Sequence, residues 1–458
     1  MTQAPVVRFA PSPTGRLHVG NIRTAMFNWL FSKPEGTFVL RLDDTDAVRS
    51  TQAFADGILE DLNWLGIVPD RVERQSDRFA AYGVAADRLK SAGLLYPCYE
   101  TPDQIERSRK RLMARGKPPV YDRAALKLSA EDRAQLEADG HKPHWRFLLP
   151  NFGDDPFVTQ RTEVVFDDIY RGRQVVDLAS MSDPVLQRED GTWLYTLPSV
   201  VDDRDMGITH VLRGGDHVAN TGVQIALFQA LGAEVIPQFG HHNLLTDTDG
   251  EGLSKRKGSV SIEHLRQSGV EPIAVASLSV LTGTDKDVVA LEGLGELGAH
   301  FQGASVSKGP ARFNEQELAT LNERVLHSMP YNVANRRLKA LGLDLDETAW
   351  NLFRENLTRF DDIMDWTPVI SGSISCEIEV DDKDFIALAG DRLPADPWPD
   401  DVWSGWTSDL KAASGRKGKA LFMPLRKALT GKSHGPDMGA LLPLIGRERA
   451  LERLRKAA

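Results

Sequence analysis

An α/β fold built on a parallel sheet, carrying an inserted α+β segment and ending in a helical C-terminal region, is what this 458-residue sequence predicts. Three observations carry that prediction. A strand–helix–strand pattern fills the first forty residues, strand and hairpin signals take over between about 100 and 190, and helical signals dominate after about 255. The length exceeds what one hydrophobic core serves, so several domains are expected.

The first unit is the most regular. VVRFA (6–10) and TFVLRL (37–42) are β-branched and apolar runs bounded by turn formers, as strands are. Between them Ile22, Ala25, Met26, Trp29 and Leu30 recur at helical spacing, and Phe54, Ile58, Leu62 and Leu65 mark a second helix over 51–66. The character then changes. A charged helical stretch, DQIERSRKRLMARG, precedes the strand-like pieces WRFLL, TEVVF and PVLQREDGTWLYT, the last with Asp190-Gly191 as a hairpin turn. Over 200–240, VVDD, ITHVLRGGD and the stripe VQIALFQAL return the chain to the sheet. Beyond 255 polar breaks are expected near 282–288, 366–376 and 412–419.

Composition narrows the class. Hydrophobic residues make up 41% and charged residues 26%, ordinary for a globular protein. No run approaches the ~18–20 apolar residues of a membrane span, and no basic–apolar leader opens the chain, so neither a membrane partner nor secretion is expected. Two cysteines, Cys98 and Cys376, fit a reducing cytoplasm and exclude a disulfide framework or a cysteine-rich zinc site. The net charge of −10 argues against a nucleic-acid coat protein, but the charge is uneven. Residues 411–458 hold twelve Lys/Arg against three acids, whereas CEIEVDDKD (376–384) is acidic, so a basic surface is expected near the C-terminus.

Four features could do chemistry. In RFAPSPTGRLHVGN (8–21) the first strand breaks on Pro11, Pro13 and Gly15, and a helix starts on His18-Val19-Gly20-Asn21. Alone, this is most simply a strand–turn–helix connection. A helix N-terminus nevertheless attracts phosphate, and a histidine there can donate to an oxygen that gains charge. LSKRKG (253–258) follows the glycine-bearing run TDTDGEG, which suits either a solvated basic loop or a lid clamping a triphosphate. RLDDTDAVRS (41–50) sets Asp43, Asp44 and Asp46 at a strand end, where α/β sheets bind ligands, although Asp46 and Ser50 would equally cap a helix. The run 200–221 carries Arg213, Asp216 and His217 at another strand end, and Arg8 could join them as a carboxylate binder.

Taken in order, these segments resemble the class I aminoacyl-tRNA synthetases, and within them the bacterial glutamyl-tRNA synthetases. RFAPSPTGRLHVGN-x-RTAMFNWL with F-x-LRLDDTD-x-x-RS looks like that family's N-terminal signature. VVDD-x-x-MGITHVLRG-x-DH-x-x-NT and LSKRKGSVSI look like its second half and mobile loop; VSKGPARFNEQELATLN and ALTGKSHGPD resemble its stem-contact and anticodon-binding parts. The similarity runs from about residue 6 to 450.

The resemblance implies a Rossmann-like class I synthetase catalytic domain split by an inserted α+β domain. The expected division is catalytic first half 1–99, acceptor-stem-binding insertion 100–190, catalytic second half 191–254, signature loop and stem-contact region 255–324, and helical anticodon-binding domain 325–458. It implies ATP-dependent activation of L-glutamate and transfer to tRNA-Glu, with tRNA-Gln open as a second acceptor. His18 and Lys255 would be catalytic. ATP would meet His18, Gly20, Asn21, Ser254, Lys255 and Arg256, with Mg2+ borne on its phosphates. Glutamate would meet Arg8, Ala10, Ser12 and Asp43 from the first half, and Tyr195, Ser199, Arg213 and Asp216 from the second. Two guanidiniums suit a substrate with two carboxylates, and Asp43 suits its ammonium.

Four positions depart from the family pattern. Gly252 stands where many members carry the loop's first lysine, Asp43 is one methylene shorter than the common glutamate, and Gly215 and Ser199 replace acidic and amide residues. The inserted domain lacks the cysteine set of zinc-binding relatives, so no zinc is expected, and His141 and His144 are expected at the surface. A monomer in the cytoplasm is the expected state. A short nucleotidyltransferase would leave the helical C-terminal part unexplained, and a truncated synthetase paralogue lacks an anticodon-binding part. A catalytically impaired tRNA-binding regulator would have only Gly252 and Gly215 in its favour.

Overall fold

Strand β1 (Val6–Phe9) leads through helix α1 (Val19–Ser32) to β2 (Thr37–Leu42), and α2 (Gln52–Trp64) leads on to β3 (Arg71–Arg74), so the first expected unit forms as its periodicity dictates. The computed structural model describes residues 4–116, 118–247, 249–250, 253 and 261–458. Beyond β3 come α3 (Phe79–Ser91), β4 (Leu95–Cys98), α4 (Pro102–Ala114), α5 (Ala130–Ala138), β5 (His144–Phe147), β6 (Glu163–Asp168), β7 (Gly172–Asp177) and β8 (Val185–Gln187). Then follow α6 (Thr196–Asp205), β9 (His210–Gly214), α7 (Val218–Ala230), β10 (Gln238–His242), β11 (Leu245–Thr246), α8 (Ile262–Gln267), α9 (Pro272–Leu281), α10 (Leu294–Phe301) and β12 (Ala311–Arg312).

The chain divides into two compact units, one of residues 1–266, 275–288 and 294–314, the other of 267–274, 289–293 and 315–458. In the first, β1, β2 and β3 pair in parallel, and β9, β10 and β6 pair in parallel with β7 antiparallel at the edge. Thr209 N–H donates to Val6 O (2.9 Å) and so lays the start of β9 beside β1. From β1 the chain winds one way to β2, and from β9 the other way to β10. The carboxyl ends of β1 and β9 therefore flank a switch point, where such sheets bind ligands. Strand β2 is buried along nearly its whole length, as a central parallel strand must be, and Arg41 on it is fully buried.

The segment between β4 and β8 is less separate than the sequence suggests. Strands β4, β5 and β8 form an antiparallel sheet of their own, but β6 joins the parallel sheet beside β10. The hairpin at Asp190-Gly191 forms, with Gln187 bridging Trp193 and Arg188 N–H donating to Thr192 O.

The second unit contains α11 (Glu315–Ser328), α12 (Tyr331–Ala340), α13 (Glu347–Phe353), α14 (Ile363–Ser371), α15 (Lys383–Asp391), α16 (Val402–Ser414), α17 (Lys419–Thr430), α18 (Met438–Ile445) and α19 (Arg447–Ala457). Trp350, Trp366, Trp406, Leu425 and Leu442 lie in its core. The polar break expected at 366–376 begins only at Gly372, because Trp366 and Val369 bury themselves and carry α14 through to Ser371. Arg453 is buried and caps α14, donating to Pro368 O (3.1 Å), Val369 O (2.7 Å) and Gly372 O (2.8 Å). The basic tail is partly matched by the acidic stretch before it: Arg416 pairs with Asp382, and Lys427 lies 3.8 Å from Glu379.

Candidate active site

A cavity of about 640 Å³ opens at the switch point between β1 and β9. Of the expected residues it is lined by Arg8, Ala10, Ser12 and Asp43, by His18, Gly20 and Asn21, and by Tyr195, Arg213 and Asp216. Ser199 is not among its lining residues: it lies fully buried on α6, one turn past Tyr195, with its Oγ unpartnered. Ser254, Lys255 and Arg256 lie outside the described residues, as does Gly252.

The proline-rich segment is held over the strand ends by its own carbonyls. Asp43 N–H donates to Pro11 O (3.0 Å) and Thr51 N–H to Pro13 O (3.2 Å), so the break in β1 becomes one wall of the cavity. His18 then caps α1. Its Nδ1 accepts from Gly20 N–H (3.1 Å), while Asn21 Oδ1 accepts from His18 N–H (3.1 Å). With Nδ1 accepting, a neutral ring carries its proton on Nε2. A Cβ at residue 20 would stand 3.0 Å from the His18 ring, so glycine there is what lets the imidazole lie back over the helix start. Asn21 thus has a definite task, closing the capping box on the histidine.

The helix that follows the LSKRKG segment is fastened to this turn. Ser261 bridges His18, Ile262 N–H donates to Leu17 O (3.0 Å), and Arg16 pairs with Glu263 (3.0 Å).

Deeper in, the charges are ordered. Asp203 on α6 takes Arg8 Nε (3.1 Å) and Arg41 Nη1 (2.6 Å), and Arg41 also grips Asp43 through Nε (2.7 Å) and Nη2 (3.3 Å). Asp202 is held by Arg78 (2.6 Å), Tyr82 (2.8 Å) and Gln75 (3.0 Å). Burial would raise the Asp203 carboxyl, but Arg8 and Arg41 outweigh it and hold it below its ordinary value. Burial wins at Asp43, which is pushed up to about 6 against Arg41 and Arg8.

Arg213, on β9, is anchored differently. It donates to Tyr195 Oη (2.8 Å), Thr221 Oγ1 (2.6 Å) and His241 Nε2 (3.2 Å), all uncharged acceptors. Beside it Gly215 leaves room for Arg171, whose guanidinium would collide with a Cβ at that position and instead reaches His241 O (2.9 Å) and Lys308 O (3.2 Å). The acidic residue expected there is replaced by space for a cation.

For a divalent ion the donor set is sparse. Asp43 is bound to Arg41, and the exposed Asp216 stands 3.8 Å from His217. Among the described residues no trio of metal-ligating side chains lines the cavity. Elsewhere, Cys98, Glu100 and His144 bring their ligand atoms within 4.8 Å of one another. His144 is half-buried and held neutral, its pKa lowered to about 4 chiefly by burial, so the expected surface position applies only to His141. Tyr121 Oη donates to Glu100 Oε1 (2.6 Å) and lies 3.7 Å from Cys98 Sγ, and burial pushes the Cys98 thiol up to about 12.

Arg41, Asp202, Asp203, Thr221, His241 and Asp168 were not singled out from sequence. The signal existed for three of them: a charged residue, Arg41, inside the apolar run TFVLRL, and the paired acids Asp202 and Asp203 inside VVDD.

The cavity at the switch point thus brings together a histidine-capped helix start and the buried guanidiniums of Arg8 and Arg213. The family described as "tRNA synthetases class I (E and Q), catalytic domain" matches residues 5–320, and an "Anticodon binding domain" matches 347–458. The chain belongs to this family of class I tRNA synthetases. It is 57% identical over 452 residues to the "Glutamate--tRNA ligase 1" of Brucella canis, covering 98% of this chain and 99% of that one. The "Glutamate--tRNA ligase 2" of Brucella melitensis matches to the same extent, 57% over 452 residues. A solved glutamate tRNA ligase from Elizabethkingia meningosepticum, in complex with its amino acid, superposes with a TM-score of 0.81 at 25% identity, covering 99% of both chains. That from Elizabethkingia anophelis gives 0.79 at 26%.

Proposed function

We propose that this chain is a glutamate–tRNA ligase, activating L-glutamate with ATP to glutamyl-adenylate and passing the glutamyl group to the 3'-terminal adenosine of tRNA. One observation carries the reading: the buried guanidiniums of Arg8 and Arg213, the carboxylate of Asp43 and a histidine-capped helix N-terminus all line a single cavity. Arg8 and Arg213 receive the substrate's carboxylates, Asp43 its ammonium, and Tyr195 orients Arg213. Ala10 and Ser12 shape the wall between the amino-acid and nucleotide ends, and Asp216 closes its rim. The N–H groups that open α1 face the phosphates, with His18 Nε2–H aimed at the oxygen that gains charge as the α-phosphate is attacked. Gly20 admits the nucleotide to the backbone. Mg2+, carried on the triphosphate, supplies charge neutralisation there.

The division into catalytic halves (1–99 and 191–254), acceptor-stem-binding insertion (100–190), loop and stem-contact region (255–324) and anticodon-binding domain (325–458) is part of this reading. So are a monomeric state, action in the cytoplasm and independence from zinc. Charging purified tRNA-Glu and tRNA-Gln with labelled glutamate tests the function: glutamyl-tRNA-Glu is expected, glutamyl-tRNA-Gln decides the breadth of acceptor choice, and no charging of either overturns the reading.

Three further outcomes are expected. Asp43 binds an ammonium only when ionised, and with its pKa raised to about 6 that form is lost as pH falls through 6. KM for glutamate should then rise by up to about tenfold per pH unit below 6, and Asp43→Asn should flatten the profile at a high KM. A wild-type KM constant from pH 7 to 5 removes Asp43 from this role. Lys255→Ala should slow adenylate formation in single turnovers by about 10³-fold, as expected on losing a cation that stabilises the leaving pyrophosphate, with tRNA affinity retained. Unchanged activation places the lysine role elsewhere. Finally, tRNA affinity should fall by about 10²-fold between 50 and 200 mM salt, as for about four phosphate contacts; a salt-independent Kd would contradict a basic binding face.

A further inference from the structure

Strand β10 lies between β6 and β9, and its register sets His241 opposite Arg213 on one side while the preceding Phe239 stands opposite Asp168 on the other. The three side chains form one hydrogen-bonded row across the strands. His241 Nδ1 pairs with Asp168 Oδ2, and His241 Nε2 meets Arg213 Nε at 3.2 Å. An Nε2 that accepts from a guanidinium must present its lone pair, so the ring is neutral and its proton sits on Nδ1, donated to Asp168. Burial keeps the ring neutral by lowering its pKa.

Asp168 is spent elsewhere as well. Its Oδ1 accepts from the backbone N–H groups of Tyr170 (2.9 Å), Arg171 (2.9 Å) and His241 (3.1 Å). The imidazole thus stands between that carboxylate and Arg213, passing on orientation without the charge. Thr221 completes the cradle, taking Arg213 Nη2 at 2.6 Å while lying 3.0 Å from the same His241 Nε2. Arg8, by contrast, is tied directly to the carboxylate of Asp203. A buried guanidinium held by neutral acceptors keeps an unmet charge that a carboxylate satisfies and an amide does not.

We propose that Asp168, His241 and Thr221 are positioning residues that hold Arg213 buried with no carboxylate bonded to it, and that this arrangement selects glutamate over its neutral amide, glutamine. The inference rests on the reading of Arg213 as a substrate-carboxylate partner. It assigns a task in amino-acid selection to Asp168, which arrives from the segment inserted between β4 and β8.

Glutamate-dependent ATP–pyrophosphate exchange, with tRNA present, tests it on the full-length protein. His241→Leu should raise KM for glutamate at least tenfold with KM for ATP within twofold, and should narrow the preference over glutamine. His241→Gln, which returns an acceptor near the place of Nε2, should recover most of the loss. Thr221→Val, close in shape, should raise KM for glutamate several-fold, and it carries the test if His241→Leu does not fold. Added to Arg213→Ala, neither change should lower kcat/KM further. If Arg213→Ala weakens glutamate use while Thr221→Val and His241→Leu do not, the positioning role is overturned alone. If KM for glutamate and ATP rise together, the role is merely structural and the proposal fails. If Arg213→Ala leaves glutamate use intact, the carboxylate reading fails and takes the proposal with it.

Discussion

Replacing Arg213 with glutamine should lower kcat/KM for glutamate in ATP–pyrophosphate exchange by about 10³-fold, roughly 4 kcal/mol of lost transition-state stabilisation. The size follows from burial. Arg213 is 5% exposed and its partners Tyr195, Thr221 and His241 are uncharged, so under the proposed function the substrate carboxylate would be its counter-ion. Removing one member of a buried, hydrogen-bonded charge pair costs about 2–5 kcal/mol, much of it the desolvated charge left behind. In the variant that stranded charge belongs to the substrate, so KM for glutamate rises while ATP affinity holds. A loss under tenfold would mean that the carboxylate goes elsewhere.

The second large effect lies one layer deeper. Asp203→Ala leaves Arg8 and Arg41 facing each other without the carboxylate both now share, and Arg41 is fully buried. Breaking such a site costs about 3–5 kcal/mol, and chemical denaturation should show that loss in unfolding free energy. Because Arg41 also positions Asp43, the folded fraction should bind glutamate poorly as well. Asp203→Asn, similar in shape and still an acceptor, should restore part of the stability while leaving the excess positive charge. A fully stable Asp203→Ala protein would show that neighbouring acids, Asp202 above all, neutralise the arginines without it.

These two cases show how far the sequence could be read. Ten of the expected ligand-contacting residues line the cavity because their positions follow from local pattern: strand ends, a broken strand and a helix start. Arg8 and Arg213 were legible as cations at strand ends. What held them was not, because Asp203 lies 195 residues from Arg8 in sequence, and His241 lies 73 residues from Asp168. Such pairings are set by strand order, and a linear pattern does not encode which strands become neighbours. For the same reason β6 was read with an inserted block, although its backbone pairs with β10. Ser199, expected at the substrate from its family position, lies buried on α6 and off the cavity lining. Asn21, expected as an ATP contact, also has a local task that its pattern did not show: its amide oxygen accepts from the His18 backbone N–H.

The central claim is that one cavity joins glutamate to ATP, and ATP–pyrophosphate exchange measures that union directly. With tRNA present, the wild-type protein should exchange label in strict dependence on glutamate, with glutamine a poor substitute. Exchange absent with glutamate under every tRNA tried, or supported equally by glutamine, would contradict it.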